Sequence, residues 1–330
     1  MSDGGRELGL ALQTDKRPGD YAALAQLAEE AGFAVVTAYN DLWFQPTLPA
    51  LLEIAAATAR VRVGPSCLNP FTIHPVEIAG QTAVLDTVSE GRAFLGLARG
   101  AWLDTLSIDQ ADPVTAIREA WEVVRRLIAG DDSGFTGRRF SLPPGEYLRH
   151  SVRRRQVPLL VGAWAPHLAA FAGEAAQELK VGGSANADLV TVMRERIRNP
   201  DVGIVFGAVT VVDEDAERAR RIARREVVEY VGVVARFDPT IVLEPQLVAR
   251  VRALVAAGDH EAAGALLPDE VLERFAFAGT PEQIVVQAEA LFAAGARRVD
   301  FGTPHGEPER HGVELLCREV APRLLSIVGH

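Results

Sequence analysis

Three short clusters rich in glycine and small residues could bind an anion through backbone N–H groups. They are Leu97-Ala98-Arg99-Gly100-Ala101, Gly182-Gly183-Ser184-Ala185-Asn186 and Gly302-Thr303-Pro304-His305-Gly306. Amides exposed where a strand turns into a helix form such sites, and three of them at one rim favour a phosphorylated cofactor. Taken singly, each cluster is read as well by glycine that only permits a tight turn. None matches GxGxxG or the Walker pattern, so neither a Rossmann-type nicotinamide site nor a P-loop is expected. The histidines at 74, 150, 167, 260, 305, 311 and 330 show no HxH, HxxxH or HExxH spacing, so no protein-ligated metal is expected. There is no GxSxG elbow, and Cys67 has no sequence-level histidine partner; it reads as a small buried residue more readily than as a nucleophile. Among carboxylates only Asp41 and Asp104 stand out. Such an inventory fits a site where a bound cofactor supplies the reactive atom.

The charge balance narrows the partner. Asp and Glu number 44 against 34 Lys and Arg, a net charge of −10, whereas nucleic acid or an anionic membrane calls for a basic surface. A small molecule is the expected partner. Cys67 and Cys317 have no CxxC spacing, which points to the reducing cytoplasm rather than a disulfide framework. The apolar stretch between Met1 and Thr14 is too short for a signal segment. The uncharged run Gln156 to Gly173 is broken by Pro158, Gly162, Pro166 and His167, and reads as a buried strand and a helix start rather than a membrane span. Arg218 to Arg225, following Asp213, Glu214, Asp215 and Glu217, complements a helix dipole and reads as a solvated helix. Arg153 to Arg155 reads as solvated too.

The elements that must position these residues alternate. Short apolar β-rich runs are expected as strands at Leu8 to Gln13, Ala34 to Tyr39, Val61 to Leu68, Ala93 to Arg99, Val157 to Ala163, Leu179 to Gly183, Gly203 to Val212 and Arg298 to Gly302. Helices are expected at Tyr21 to Ala31, Leu48 to Ala59, Val76 to Val88, Val114 to Ala129, Pro166 to Ala176, Asp188 to Arg198, Glu214 to Val231, Pro281 to Ala294 and Glu309 to Ile327. Eight strands close an α/β (β/α)8 TIM barrel. The expected organisation is one domain over residues 1–330, with insertions at about 134–155, a hairpin or loop, and 236–277, helical without a clear strand. Chemistry then belongs at the C-terminal strand ends: Gln13 and Thr14; Tyr39, Asn40, Asp41 and Trp43; Ser66 to Asn69; Ala98 to Trp102; Gly162 to Trp164; Gly182 to Asn186; and Gly302 to Gly306. Trp43, Trp102 and Trp164 could stack on a ring system, and core packing fits each as well.

Several runs carry a resemblance. Val63-Gly64-Pro65-Ser66-Cys67-Leu68-Asn69-Pro70-Phe71, His74-Pro75, Leu85-Asp86 and Ser89-Glu90-Gly91-Arg92-Ala93-Phe94-Leu95-Gly96-Leu97 resemble the bacterial luciferase-like superfamily. So do Val157 to Ala163, Val212-Asp213-Glu214-Asp215 and Gly279-Thr280-Pro281-Glu282. Within it the chain is most similar to the coenzyme F420-dependent branch that includes methylenetetrahydromethanopterin reductase. The resemblance implies a luciferase-like barrel and a deazaflavin, or alternatively FMN, held at the rim against a bulge after the third strand. That bulge would carry a non-prolyl cis peptide at Ser66-Cys67. Cofactor contacts implied are Ser66, Cys67, Leu68 and Asn69; Ala98, Arg99 and Gly100; Gly162, Ala163 and Trp164; and Gly182, Gly183, Ser184 and Ala185. The resemblance further implies a homodimer.

The chain departs from the family's pattern in three places. Ala38-Tyr39 stands where many members carry Asp-His, Ala101 where many carry an acid, and Gln177-Glu178 where Asp-Gly is usual. By position, Tyr39, Gln13 or Asp41 takes the proton-handling role. The implied function is F420-dependent hydride transfer to or from a small organic substrate. An FMN-dependent monooxygenase is the alternative, and a non-catalytic ligand- or partner-binding barrel is a third reading that the lost Asp-His pair permits.

Overall fold

A computed structural model describes residues 5–326; Ile327, the expected end of the last helix, and His330 lie outside them. The chain begins β1 (Glu7–Leu12), α1 (Asp20–Glu30), β2 (Val35–Ala38), α2 (Thr47–Ala57), β3 (Arg62–Pro65), α3 (Pro75–Val88), β4 (Leu95–Ala98) and α4 (Pro113–Ala129). A small antiparallel hairpin, β5 (Phe135–Thr136) and β6 (Ser141–Leu142), fills the first expected insertion. Then come β7 (Leu159–Gly162), α5 (Pro166–Ala175), β8 (Glu178–Gly182), α6 (Leu189–Ile197), β9 (Gly203–Val212) and α7 (Ala216–Val234). The second insertion holds α8 (Pro245–Ala256), α9 (His260–Ala265) and α10 (Asp269–Phe275), followed by β10 (Ala276–Gly279). The chain continues through α11 (Pro281–Ala294), β11 (Arg298–His305), α12 (Glu309–Leu315) and α13 (Ala321–Leu325).

Contacts divide the chain into two compact units, residues 12–29 and 34–179 in one, and residues 5–11, 30–33 and 180–326 in the other. In the first, β2 pairs with β3 (Val35 opposite Arg62), β3 bridges to β4 (Val63 to Ala93, Leu68 to Leu97), and β4 pairs with β7 (Leu95 opposite Leu159). In the second, β1 pairs with β11 (Leu8 opposite Val299), β11 pairs with β9, β8 lies beside β9, and β10 pairs with the end of β9 (Ala276 opposite Val209). The pairings between these strands are parallel, which is why a helix must return the chain between them. Val35, Phe94 and Leu160 form part of the core of the 12–179 unit. In the 180–326 unit Phe301 meets Phe33 and Phe277 edge-on, with ring centres 6.3 and 5.4 Å apart.

Local chemistry sets the element ends. Pro281 sits in the first turn of α11, where its missing N–H costs nothing; Thr280 and Gln283 form a reciprocal capping box before it, and Gly295 closes the helix at φ +104°. Asp215 caps α7 by accepting from the Glu217 and Arg218 amides.

Four expectations need correcting. Residues 276–279 are a strand, because the long β9 offers Ala276 to Gly279 a free parallel edge. The last helix is interrupted by a widened π turn at Leu316–Val320, just ahead of Pro322, which cannot donate to the helical ladder. Arg154 is not simply solvated: its Nε donates to the fully buried Asp86 carboxylate (2.9 Å) and its guanidinium reaches the Ala93 carbonyl. The arginines of α7 are likewise engaged, Arg220 with Asp269 and Glu273, and Arg224 with Asp269.

Candidate active site

In the 12–179 unit the strand ends assemble most of the expected rim. The Tyr39 N–H donates to the Leu12 carbonyl (3.0 Å), tying the end of β2 to the end of β1. Gln13 and Asp41, one residue past β1 and three past β2, then meet: Gln13 Nε2 donates to Asp41 Oδ2 at 2.9 Å. The Thr14 N–H donates to Gln13 Oε1 (2.8 Å), which turns the amide so that its donor end faces the carboxyl. Burial pushes the Asp41 carboxyl above its ordinary range, and the hydrogen bond from Gln13, which favours the charged form, offsets only part of that. The result is an acid that keeps its proton to higher pH than a free aspartate. The Thr47 hydroxyl donates to the Tyr39 carbonyl (2.8 Å) and anchors the same loop to α2.

The bulge after β3 adjoins this corner. The Ser66-Cys67 peptide is cis, as the resemblance implies. Ser66 Oγ is buried and has no hydrogen-bond partner among the described residues. Gly96 and Gly162 make room for the Cys67 sulfur: a Cβ added at either would stand 3.3 or 3.1 Å from Sγ, and the one at Gly96 would also lie 2.1 Å from the Pro65 carbonyl oxygen. Asn69 Oδ1 accepts from the Phe71 (3.1 Å) and Thr72 (3.0 Å) amides, and Gly100, at φ +85°, lies against the Asn69 side chain. Arg99 is exposed, and its guanidinium has no ion pair or hydrogen bond among the described residues. Leu68 and Ala163 are buried, while Trp102 and Trp164 are half-buried. Trp43 is 80% exposed, which removes core packing as its role.

The 180–326 unit carries the second cluster. Gly182 ends β8 exposed, with nothing within 4 Å of where a Cβ would stand. The amides beyond it are engaged inside the unit: Gly183 donates to the Gly207 carbonyl (2.6 Å), Ala185 to the Arg274 carbonyl (3.0 Å) and Asn186 to Ser184 Oγ (3.2 Å). The open face of Gly182 is therefore where this loop can meet a ligand. The third cluster packs instead of offering an anion site. The Gly302 N–H donates to Thr210 Oγ1 (3.2 Å), His305 is fully buried between the Phe301 carbonyl and Glu309 (both 3.1 Å), and a Cβ at Gly312 would fall 1.9 Å from the His305 carbonyl oxygen.

Two groups of side chains escaped the sequence reading. Asp300 accepts from Lys180 Nζ (2.8 Å) and Arg298 Nε (2.7 Å), all three being buried. Glycines leave space for them, since a Cβ at Gly9 would lie 1.9 Å from Asp300 Oδ1 and one at Gly207 2.8 Å from Lys180 Cε. Burial pushes the Asp300 carboxyl up, but Arg298 and Lys180 outweigh it and hold it down at about 2. The one available signal was a charged residue inside an otherwise apolar strand run. The other group surrounds the buried Asn186, which donates to Asp238 (2.8 Å) and Thr240 (2.7 Å). Among the described residues no group of three or more His, Cys, Asp or Glu is placed to hold a metal ion. No helix among them is long and apolar enough to cross a membrane.

A family model described as luciferase-like monooxygenase matches residues 6–298. The chain is 27% identical to 5,10-methylenetetrahydromethanopterin reductase of Methanopyrus kandleri, over 95% of this chain and 97% of that protein. It is 25% identical to F420-dependent glucose-6-phosphate dehydrogenase of Nocardia farcinica, over 98% and 99% of the two chains. The solved structure of the coenzyme F420-dependent tetrahydromethanopterin reductase from Methanopyrus kandleri superposes with a TM-score of 0.87 at 26% identity, covering 97% of this chain and 99% of that one. That likeness shows the fold, the (β/α)8 TIM barrel expected from the strand count.

Proposed function

The chain belongs to the luciferase-like monooxygenase family, and from that premise we propose that it is a coenzyme F420-dependent oxidoreductase moving a hydride between the deazaflavin and a small organic substrate. The observation that carries the reading is the likeness along nearly the whole chain to proteins named as F420-dependent, one of them in a solved structure. The single family match running from 6 to 298 supports treating 1–330 as one functional domain. When bound, F420 supplies a carbon that gives or takes a hydride, whereas reduced FMN also reacts with oxygen.

The residues present suit that group. Ser66 Oγ is a buried polar atom awaiting a partner, and the bulge from Ser66 to Asn69 presents a surface shaped by the absent side chains of Gly96 and Gly162. Arg99 supplies a cation for the anionic chain in a protein of net charge −10. Ala98, Gly100, Ala163 and Trp164 complete the proposed contacts in the 12–179 unit; in the 180–326 unit the exposed Gly182 is the proposed contact, with Gly183, Ser184 and Ala185 behind it holding its place. Asp41 holds the proton that balances the hydride at a substrate heteroatom, with Gln13 orienting its carboxyl. Tyr39 shares the loop and shapes the substrate's side of it. Cys67 and Cys317, the two cysteines of the sequence, have no CxxC spacing, which supports a place in the reducing cytoplasm.

Mixing the chain anaerobically with reduced F420 and methylenetetrahydromethanopterin, and following the return of the oxidised deazaflavin's visible absorbance, tests the reaction. Reoxidation without oxygen is the expected result. F420 that stays reduced, or returns no faster than in the same mixture without the chain, contradicts it.

We also propose that two copies associate through α3, whose Val76, Val84 and Val88 are 38%, 38% and 39% exposed along one side. Sedimentation of the unaltered chain at the mass of two copies, and of Val84→Glu at the mass of one, is expected. A single-copy mass for the unaltered chain contradicts the pairing.

A further inference from the structure

The loop that follows β8 is held by the helical insertion at both of the insertion's ends. Asn186, 1% exposed, is the point they share. Its Nδ2 donates to Asp238 Oδ2 (2.8 Å) and Thr240 Oγ1 (2.7 Å), residues at the insertion's start. Its Oδ1 accepts from the Asp188 amide (3.1 Å) and from the Arg274 guanidinium, at the insertion's end, which also pairs with Asp188. The Arg274 carbonyl in turn accepts from the Ala185 amide (3.0 Å). Asp238 is 3% exposed, and its Oδ1 accepts from the Thr240 amide (2.8 Å) and hydroxyl (2.6 Å). Asn186 thus makes two donor and two acceptor bonds, the full capacity of an amide. A network satisfied this completely in a buried setting fixes one arrangement of its members.

We propose that Asn186, Asp238 and Arg274 are positioning residues: the insertion clamps the 183–188 loop through them, so that the exposed Gly182 at the loop's start is preset for the cofactor. The inference rests on the F420 reading. In sequence, 52 residues separate Asp238 from Asn186 and 88 separate Arg274 from it, so the clamp couples the fold of the insertion to the shape of the loop. Pre-ordering matters because a loop that must be ordered on binding weakens affinity by the cost of ordering it.

The test uses a donor–acceptor exchange. Asn186→Asp removes the donor to Asp238 and sets two carboxylates against each other. Adding Asp238→Asn restores one donor and one acceptor with the partners swapped. Hydrogen exchange of the 183–188 amides and the F420 dissociation constant, from deazaflavin fluorescence, are read on each full-length protein. Asn186→Asp is expected to exchange faster over 183–188 and to bind F420 about tenfold or more weakly, and the double variant to recover both. If Asn186→Asp does not fold, Thr240→Val, which removes only the hydroxyl, is expected to shift both readings in the same direction. F420 binding that is equal in every folded variant overturns the inference alone. No F420 binding by the unaltered chain overturns the cofactor reading and the inference with it.

Discussion

Asp41→Asn is expected to lower turnover by about 10²–10⁴-fold, the usual contribution of a positioned proton donor or acceptor, while leaving the protein folded. The substitution keeps the shape of the side chain and keeps an oxygen to accept from Gln13 Nε2, so what is lost is the exchangeable proton. The pH dependence separates this from a packing effect. Burial raises the Asp41 carboxyl above its ordinary range, so the folded protein holds the proton more tightly than the unfolded chain does. The stabilising contribution of that proton is complete below the ordinary aspartate range and is lost as pH rises through the raised value. Reduction of substrate should therefore fall with rising pH through the same window in the unaltered chain and be flat there in Asp41→Asn. Stability should run the same way, falling with rising pH in the unaltered chain, so that Asp41→Asn gains on it as pH rises. A variant within twofold of the unaltered turnover, with the same pH profile, removes Asp41 from the chemistry.

The second large effect falls on stability. Asp300→Asn leaves Lys180 and Arg298, with side chains 5% and 0% exposed, without the carboxylate between them. Breaking a buried charge cluster by removing one partner costs about 3–5 kcal/mol, because the remaining charges stay desolvated. Denaturant unfolding at neutral pH, followed as a single transition, should show that loss. The acid limb adds a signed check. The Asp300 carboxyl is held down at about 2 by Arg298 and Lys180 against the effect of burial, so its contribution is present above the ordinary aspartate value and disappears as pH falls towards 2. The difference between the unaltered chain and Asp300→Asn should shrink over that interval. Equal stability of the two at pH 7 contradicts the assignment.

Strands and helices were legible where short-range patterns specify them. Gly203 to Val212 is a continuous apolar run and is the strand observed, and Pro281 to Ala294 is framed by its own cap residues. β10 was hidden because a stretch as short as Ala276 to Gly279 becomes a strand only when β9 extends far enough to pair with it. The rim positions follow from strand ends, which assign Gln13 and Asp41 to the same rim. Their hydrogen bond, and the burial that raises Asp41, depend on how two loops pack and leave no local trace. The same holds for Arg154 with Asp86, 68 positions apart, and for the partners of Asn186. Periodicity shows which face of an element is buried, but not which distant polar group meets a buried one.

The central claim, that this barrel is built for a deazaflavin, is tested most directly by titrating the purified chain with F420 and, separately, with FMN while following the fluorescence of each. Saturable one-to-one binding of F420, weakened in Arg99→Ala and not reproduced by FMN, is the predicted result. Tight binding of FMN with none of F420, or binding of neither, contradicts it.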